Sequence, residues 1–172
     1  MIIMLLIGLI SAVMSDTTTK SPLMLSVGIP EMHGRRTLPI NRTFPLILIN
    51  TSEYPLKLWR DTCSWGYVNP ILEMQGIDPE KNHQWLILNK FDKYWARNIP
   101  DAALLAPGES MVLNLDLKED IWKNFEFLAT RVGKKVRMRV VYRNFVDEQT
   151  IKLKVWTGEL RTAAQEYVVV KP

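Results

Sequence analysis

The chain has 172 residues, 47% of them apolar and 23% charged, which fits one domain with a sizeable core and excludes an intrinsically disordered chain. Its net charge of +4 is too mild to point to nucleic acid, so its cations matter only where the fold gathers them. Cys63 is the single cysteine, so no intrachain disulfide is available and Cys63 is expected to serve as a small buried hydrophobe.

Residues 1–15 read as a signal peptide, with a buried N-terminal strand or helix or an uncleaved anchor as the alternatives. The run from Met1 to Met14 is uncharged and apolar apart from Ser11, too short for a comfortable bilayer span, and gives way to Ser15-Asp16-Thr17-Thr18-Thr19-Lys20. Val13 and Ser15 suit the −3 and −1 positions of cleavage after Ser15, although no Lys or Arg precedes the apolar run. The expectation is an exported protein, periplasmic or secreted, with 16–22 as a flexible leader, 23–172 as the domain, and no membrane span after cleavage.

Beyond the leader, apolar residues recur in short runs punctuated by Pro, Gly, Asn and Asp, as in closely spaced strands. Strands are predicted over 23–27, 44–50, 55–61, 67–74, 84–88, 110–117, 134–142, 151–157 and 165–170. Three of them alternate cleanly. Met111, Leu113, Leu115 and Leu117 alternate with Ser110, Val112, Asn114 and Asp116; Val136, Met138, Val140 and Tyr142 with Lys135, Arg137, Arg139 and Val141; Ile151, Leu153 and Val155 with Lys152, Lys154 and Trp156. Ile121, Trp122, Phe125 and Leu128 predict one short amphipathic helix near 119–129, with Glu119 and Asp120 at its positive end. The fold class is therefore all-β, an antiparallel sandwich with sheets wetted on one face.

Four segments carry a resemblance. Asn50-Thr51-Ser52-Glu53-Tyr54-Pro55-Leu56 looks like the Asn-Thr then Pro-Leu turn between the first paired strands of immunoglobulin-like β-sandwich domains in exported bacterial proteins. Leu105-Ala106-Pro107-Gly108-Glu109-Ser110 looks like the Pro-Gly-Glu turn that opens a middle strand there. Trp95-Ala96-Arg97-Asn98-Ile99-Pro100 and Val155-Trp156-Thr157-Gly158 are similar to further motifs of that group. The resemblance covers about 41–170 and implies an immunoglobulin-like fold. A bacterial proteinase-inhibitor domain shares the first two turns, and the Cys…Trp…Cys arrangement of antibody domains is absent.

Chemistry is sparse. His33 and His83 are the only histidines, Gly108-Glu109-Ser110 lacks the second glycine of a nucleophile elbow, and two scattered His with one Cys make no zinc site, so no catalytic residue, metal or cofactor is assigned. Asn41-Arg42-Thr43 and Asn50-Thr51-Ser52 fit the glycosylation acceptor pattern, which matters only in a eukaryotic secretory pathway. The expected role is a non-enzymatic binding or structural interaction module, with a proteinase inhibitor and a hydrolase as alternatives.

Two candidate surfaces follow. Of the six Trp, Trp59, Trp65, Trp95 and Trp156, together with Tyr67, are candidates for binding a sugar or a partner; sealing the end of the fold is their plainer role. If 134–142 and 151–157 pair as a hairpin around 144–150, Lys135, Arg137, Arg139, Lys152 and Lys154 emerge on one face. Lys57, from the strand predicted over 55–61, joins them. Such a face suits an anionic surface, a polysaccharide or an acidic protein, and its duller role is a solvated face diluted by acids and cation–π contacts.

Overall fold

A computed structural model describes residues 21–29, 31–32, 35–77 and 84–171. The expected signal peptide, most of the leader, His33 and His83 lie outside the described residues. In chain order the elements are β1 (Leu23–Val27), β2 (Glu31–Met32), β3 (Arg35–Pro39), β4 (Thr43–Asn50), β5 (Leu56–Trp59), α1 (Ser64–Tyr67), β6 (Pro70–Gly76), β7 (Leu86–Leu88), β8 (Ala102–Leu105), β9 (Ser110–Asp116), α2 (Glu126–Ala129), β10 (Lys135–Asn144), α3 (Glu148–Leu153), β11 (Gly158–Arg161) and β12 (Gln165–Val170). The chain is mostly β, in several antiparallel and mixed sheets.

Alternation fixes which face of each strand turns inward. In β4, Phe44, Leu46 and Leu48 are buried; antiparallel β1 and β9 flank the strand, with Leu46 opposite Leu113 and Phe44 opposite Leu115. The largest sheet runs β2-β3-β12-β10-β6-β7. Its centre is β10, which pairs with β6 on one side and with β12 and then β11 on the other. Met138 lies opposite Gln165 but Val141 opposite Arg161, so 162–164 face only 139–140 and form a β-bulge. Thr162 closes it, donating its N–H to the Val140 carbonyl and accepting the Val140 N–H on its hydroxyl, both at 3.0 Å.

The third sheet, β5 with β8, has one face in the main core and the other covered only at its Trp59 end, Leu104 being exposed. Leu56 and Leu58 join the main core, which draws on all three sheets, while Trp59 meets Cys63 and Val155 in a small second core. Cys63 is buried as expected, its Sγ 3.3 Å from the Arg60 carbonyl. Two of the four segments that carry the immunoglobulin-like resemblance, 50–56 and 105–110, pack on one another through Asn50. Its amide donates to the carbonyls of Tyr54 (2.9 Å) and Leu105 (3.0 Å), its oxygen accepts from the N–H (3.0 Å) and hydroxyl (2.7 Å) of Ser52, and its backbone meets Gly108 and Glu109. A side chain so engaged, on a fully buried residue, is no glycan acceptor.

The structure corrects the expected architecture in four places. The sheets are not wholly antiparallel, because β12 runs parallel to β3 with Val168 opposite Thr37. No strand or hairpin arm spans 151–157: Asp147 caps α3, its carboxylate accepting the Thr150 N–H and its own N–H reaching the Thr150 hydroxyl, both at 2.7 Å. Ile151 is consequently exposed, and only Val155 reaches a core. Over 119–129, Trp122, Phe125 and Leu128 are buried as expected, but the segment is a chain of turns with the single helical turn α2 at its end. Short strands at β2, β3, β8 and β11 were not anticipated, and 67–69 precede β6 rather than belonging to it.

Candidate functional site

The basic set does not assemble as the hairpin would have it. Lys135, Arg137 and Arg139 share the outer face of β10, whereas Lys152 and Lys154 lie on and just after α3, and Lys57 sits on β5 beside Val155. On β10 acids interleave with the cations. Glu166, directly opposite Arg137, lies 3.9 Å from it and 4.0 Å from Lys135; Glu73, directly opposite Arg139, holds its guanidinium at 2.5 Å. Cross-strand pairs of opposite charge stabilise a sheet by about 0.2–1 kcal/mol each, so this face works first as a ladder of such pairs. Trp85 adds a ring 4.4 Å from the Arg139 guanidinium. A groove of about 380 Å³ beside it is lined by Arg35, Arg36, Lys135, Glu166, Tyr167 and Val168.

The aromatic set divides in the same way. Trp59 is fully buried and meets Trp65 in a tilted pair at 5.7 Å, and Trp156 stacks at 6.2 Å on Tyr142, so these three build cores. Tyr67 and Trp95 are different. Their rings meet edge to face at 5.8 Å on the wall of an open cleft of about 500 Å³, together with Asp61, Thr62, Lys90, Lys93, Asn114, Asp116 and Ile121. That volume is in the usual small-ligand range of roughly 300–1,000 Å³.

Each wall is placed by an identifiable local cause. Trp59 ends β5, the chain turns through Asp61 and Thr62, and α1 then delivers Tyr67. The turn is tight because Gly66 lies against β5's end, where a Cβ would come within 2.0 Å of the Arg60 carbonyl oxygen. The segment carrying Lys93 and Trp95 is tied to α1 by Asn98, which accepts the Ser64 N–H at 3.0 Å and donates to its hydroxyl at 2.7 Å. Asp101 ties the far end of that segment to the Thr62 hydroxyl at 2.8 Å. Asn114 and Asp116 point outward from β9 by the same alternation that buries Leu113 and Leu115, and Asp116 accepts a hydrogen bond from Thr43.

Sequence reasoning gave no site role to the polar lining of this cleft, and Lys90 is the most consequential residue it missed. In the run through Leu88, Asn89 and Lys90, the pleat that buries Leu88 and exposes Asn89 turns Lys90 inward. The pairing of Lys90 with Trp122, with bonds from Phe91 N–H to the Ile121 carbonyl and from Lys123 N–H to the Asn89 carbonyl, then fixes it at the cleft. Its ammonium lies 4.4 Å from the centre of the Tyr67 ring and 5.7 Å from that of Trp122, and among the described residues it has no ion pair. Burial pushes its pKa down to about 8, against the pull of Asp61 and Asp116 and with help from Lys93. Burial, with Asp120 and Asp116 nearby, raises the pKa of Tyr67, so its hydroxyl stays a donor. The sequence held one usable signal: Lys90, Lys93, Tyr94 and Trp95 crowd into a single connecting segment.

No group of three or more His, Cys, Asp or Glu able to hold a metal ion occurs among the described residues, and no described helix is long and apolar enough to cross a membrane. Comparison with protein-family models, with curated proteins and with solved structures returned no match to the chain.

Proposed function

We propose that the chain is an exported, non-enzymatic binding module that holds a saccharide in the cleft walled by Tyr67 and Trp95. The observation that carries this reading is the convergence, around one opening of about 500 Å³, of two aromatic rings with carboxylates, an amide, a hydroxyl and two amines drawn from three separate segments. Aromatic faces take the C–H faces of a sugar ring, and interspersed donors and acceptors take its hydroxyls. Export rests on the apolar run ending at Met14. The immunoglobulin-like sandwich remains the proposed scaffold, supported by the common core of the sheets and by the packing of its two signature turns on Asn50. The β10 face is less favoured as the primary site because Glu166 and Glu73 already answer its cations.

Calorimetric titration of the protein with a panel of mono- and disaccharides tests this. Saturable binding is expected for at least one of them, weakened about tenfold or more by Trp95→Ala and unchanged by Trp156→Ala. Absence of saturable binding across the panel, or equal binding by both variants, refutes the cleft as a saccharide site.

A further inference from the structure

Lys90 adds a second, independent feature to the cleft. A lysine that is 7% exposed, lines the cleft and has no salt bridge among the described residues is a donor open to a ligand at a ligand-sized opening. Resting on the reading of the cleft as a saccharide site, we propose that its ligand is a carboxylated sugar, a hexuronic acid residue, whose carboxylate is seated on the Lys90 ammonium.

The surrounding charges narrow the choice. Lys90 and Lys93 line the same opening as Asp61 and Asp116, two cations with two anions. A multiply charged phosphate gains at the lysines and loses at the aspartates, and a cationic ligand has to approach the buried Lys90. A monoanion rich in hydroxyls satisfies both sets. Its carboxylate accepts from Lys90, with Lys93 alongside, while its hydroxyls donate to Asp61 and Asp116 and meet Asn114 and Thr62. Its ring then lies by the Tyr67 and Trp95 faces, and Lys93, whose ammonium is 5.0 Å from the Trp95 ring centre and 5.8 Å from that of Tyr67, closes the same end. No other described part of the molecule combines a buried unpaired amine with aromatic walls; the groove beside β10 has its Lys135 paired with Glu166.

The test compares D-galacturonate and D-glucuronate, and a uronide disaccharide, with their neutral counterparts, by calorimetry on the wild-type protein and on Lys90→Met. In the wild type the uronides should bind at least about tenfold more tightly than the neutral sugars. In Lys90→Met, checked for native near-UV circular dichroism, uronide affinity should fall to that of the neutral sugar, which itself changes little. Neutral sugars binding as tightly as uronides to the wild type would overturn the carboxylate assignment and leave the saccharide cleft standing. Uronide binding equal in Lys90→Met and wild type would do the same. Binding of neither class overturns both. Since the wild-type comparison decides the first question alone, a variant that misfolds does not shield the proposal.

Discussion

Replacing Lys90 with Met should stabilise the protein, by an amount that depends on pH. An ordinary lysine titrates at 10.5, and burial pushes Lys90 down to about 8 in the folded chain. At about 1.4 kcal/mol per pH unit, that gap means the charged side chain costs the native state about 3 kcal/mol. The Tyr67 ring 4.4 Å away offsets about 0.5–2 kcal/mol, and Met loses that contact. The sign follows from proton counts. Below pH 8 both states hold the proton, so the native state bears the full cost. Between 8 and 10.5 the unfolded chain holds more of the proton than the native one, so the contribution of Lys90 to stability improves with rising pH. Urea unfolding followed by tryptophan emission should therefore show Lys90→Met more stable by about 1–3 kcal/mol near pH 7, and that advantage should fall by more than half at about pH 9.5. Differencing the two proteins removes Tyr142 and Tyr167, whose raised pKa values act alike in both. A variant no more stable than wild type near pH 7, or a gap that ignores pH, would refute the buried unpaired ammonium. A group that costs stability without a structural partner is what a ligand site requires and a scaffold does not.

Four further substitutions probe the frame, Leu115→Asp by circular dichroism and the others by equilibrium unfolding. Gly66→Ala puts a Cβ within 2.0 Å of a backbone oxygen that cannot swing aside, so it should cost at least about 2 kcal/mol; a neutral result means α1 does not pack on β5 as described. Asn50→Ala strips four side-chain hydrogen bonds and leaves the Leu105 carbonyl without its amide donor, for about 2–3 kcal/mol; a loss under 0.5 would remove Asn50 as the link between the two turns. Leu115→Asp buries an unpaired carboxylate in the main core and should abolish folding, judged by circular dichroism, whereas Lys152→Asp on exposed α3 should cost under about 1 kcal/mol.

Where one face of a strand is buried and the other wet, the residues themselves disclose the strand. Leu113 and Leu115 of β9 and Val136, Met138 and Val140 of β10 alternate with polar neighbours, and both strands form where alternation puts them. The same rule misled at Ile151, Leu153 and Val155, because a local capping box at Asp147 and Thr150 outweighs a weak two-residue period and turns the segment into α3. Strands β3 and β8 escaped notice for other reasons: one carries two arginines and ends at Pro39, the other is a short Ala-Ala-Leu-Leu run with Leu104 exposed. Tyr67 and Trp95 were legible as aromatic residues in connecting segments. Their meeting with Asp116 was not, since these walls come from distant stretches of chain brought together by β5, α1 and β9. Lys90 left only its crowding with Lys93, Tyr94 and Trp95 as a signal, because lysine is almost never buried and only the phase of the β7 pleat turns it inward.

The most direct measurement is amide and indole chemical-shift mapping on the isotopically labelled protein during titration with a uronide. Binding in the cleft should shift the Trp95 indole N–H and the amides of 61–67, 90–95 and 114–116, with the Trp156 indole unmoved. Shifts concentrated on Lys135, Arg137 and Glu166, or none at saturating ligand, would contradict it.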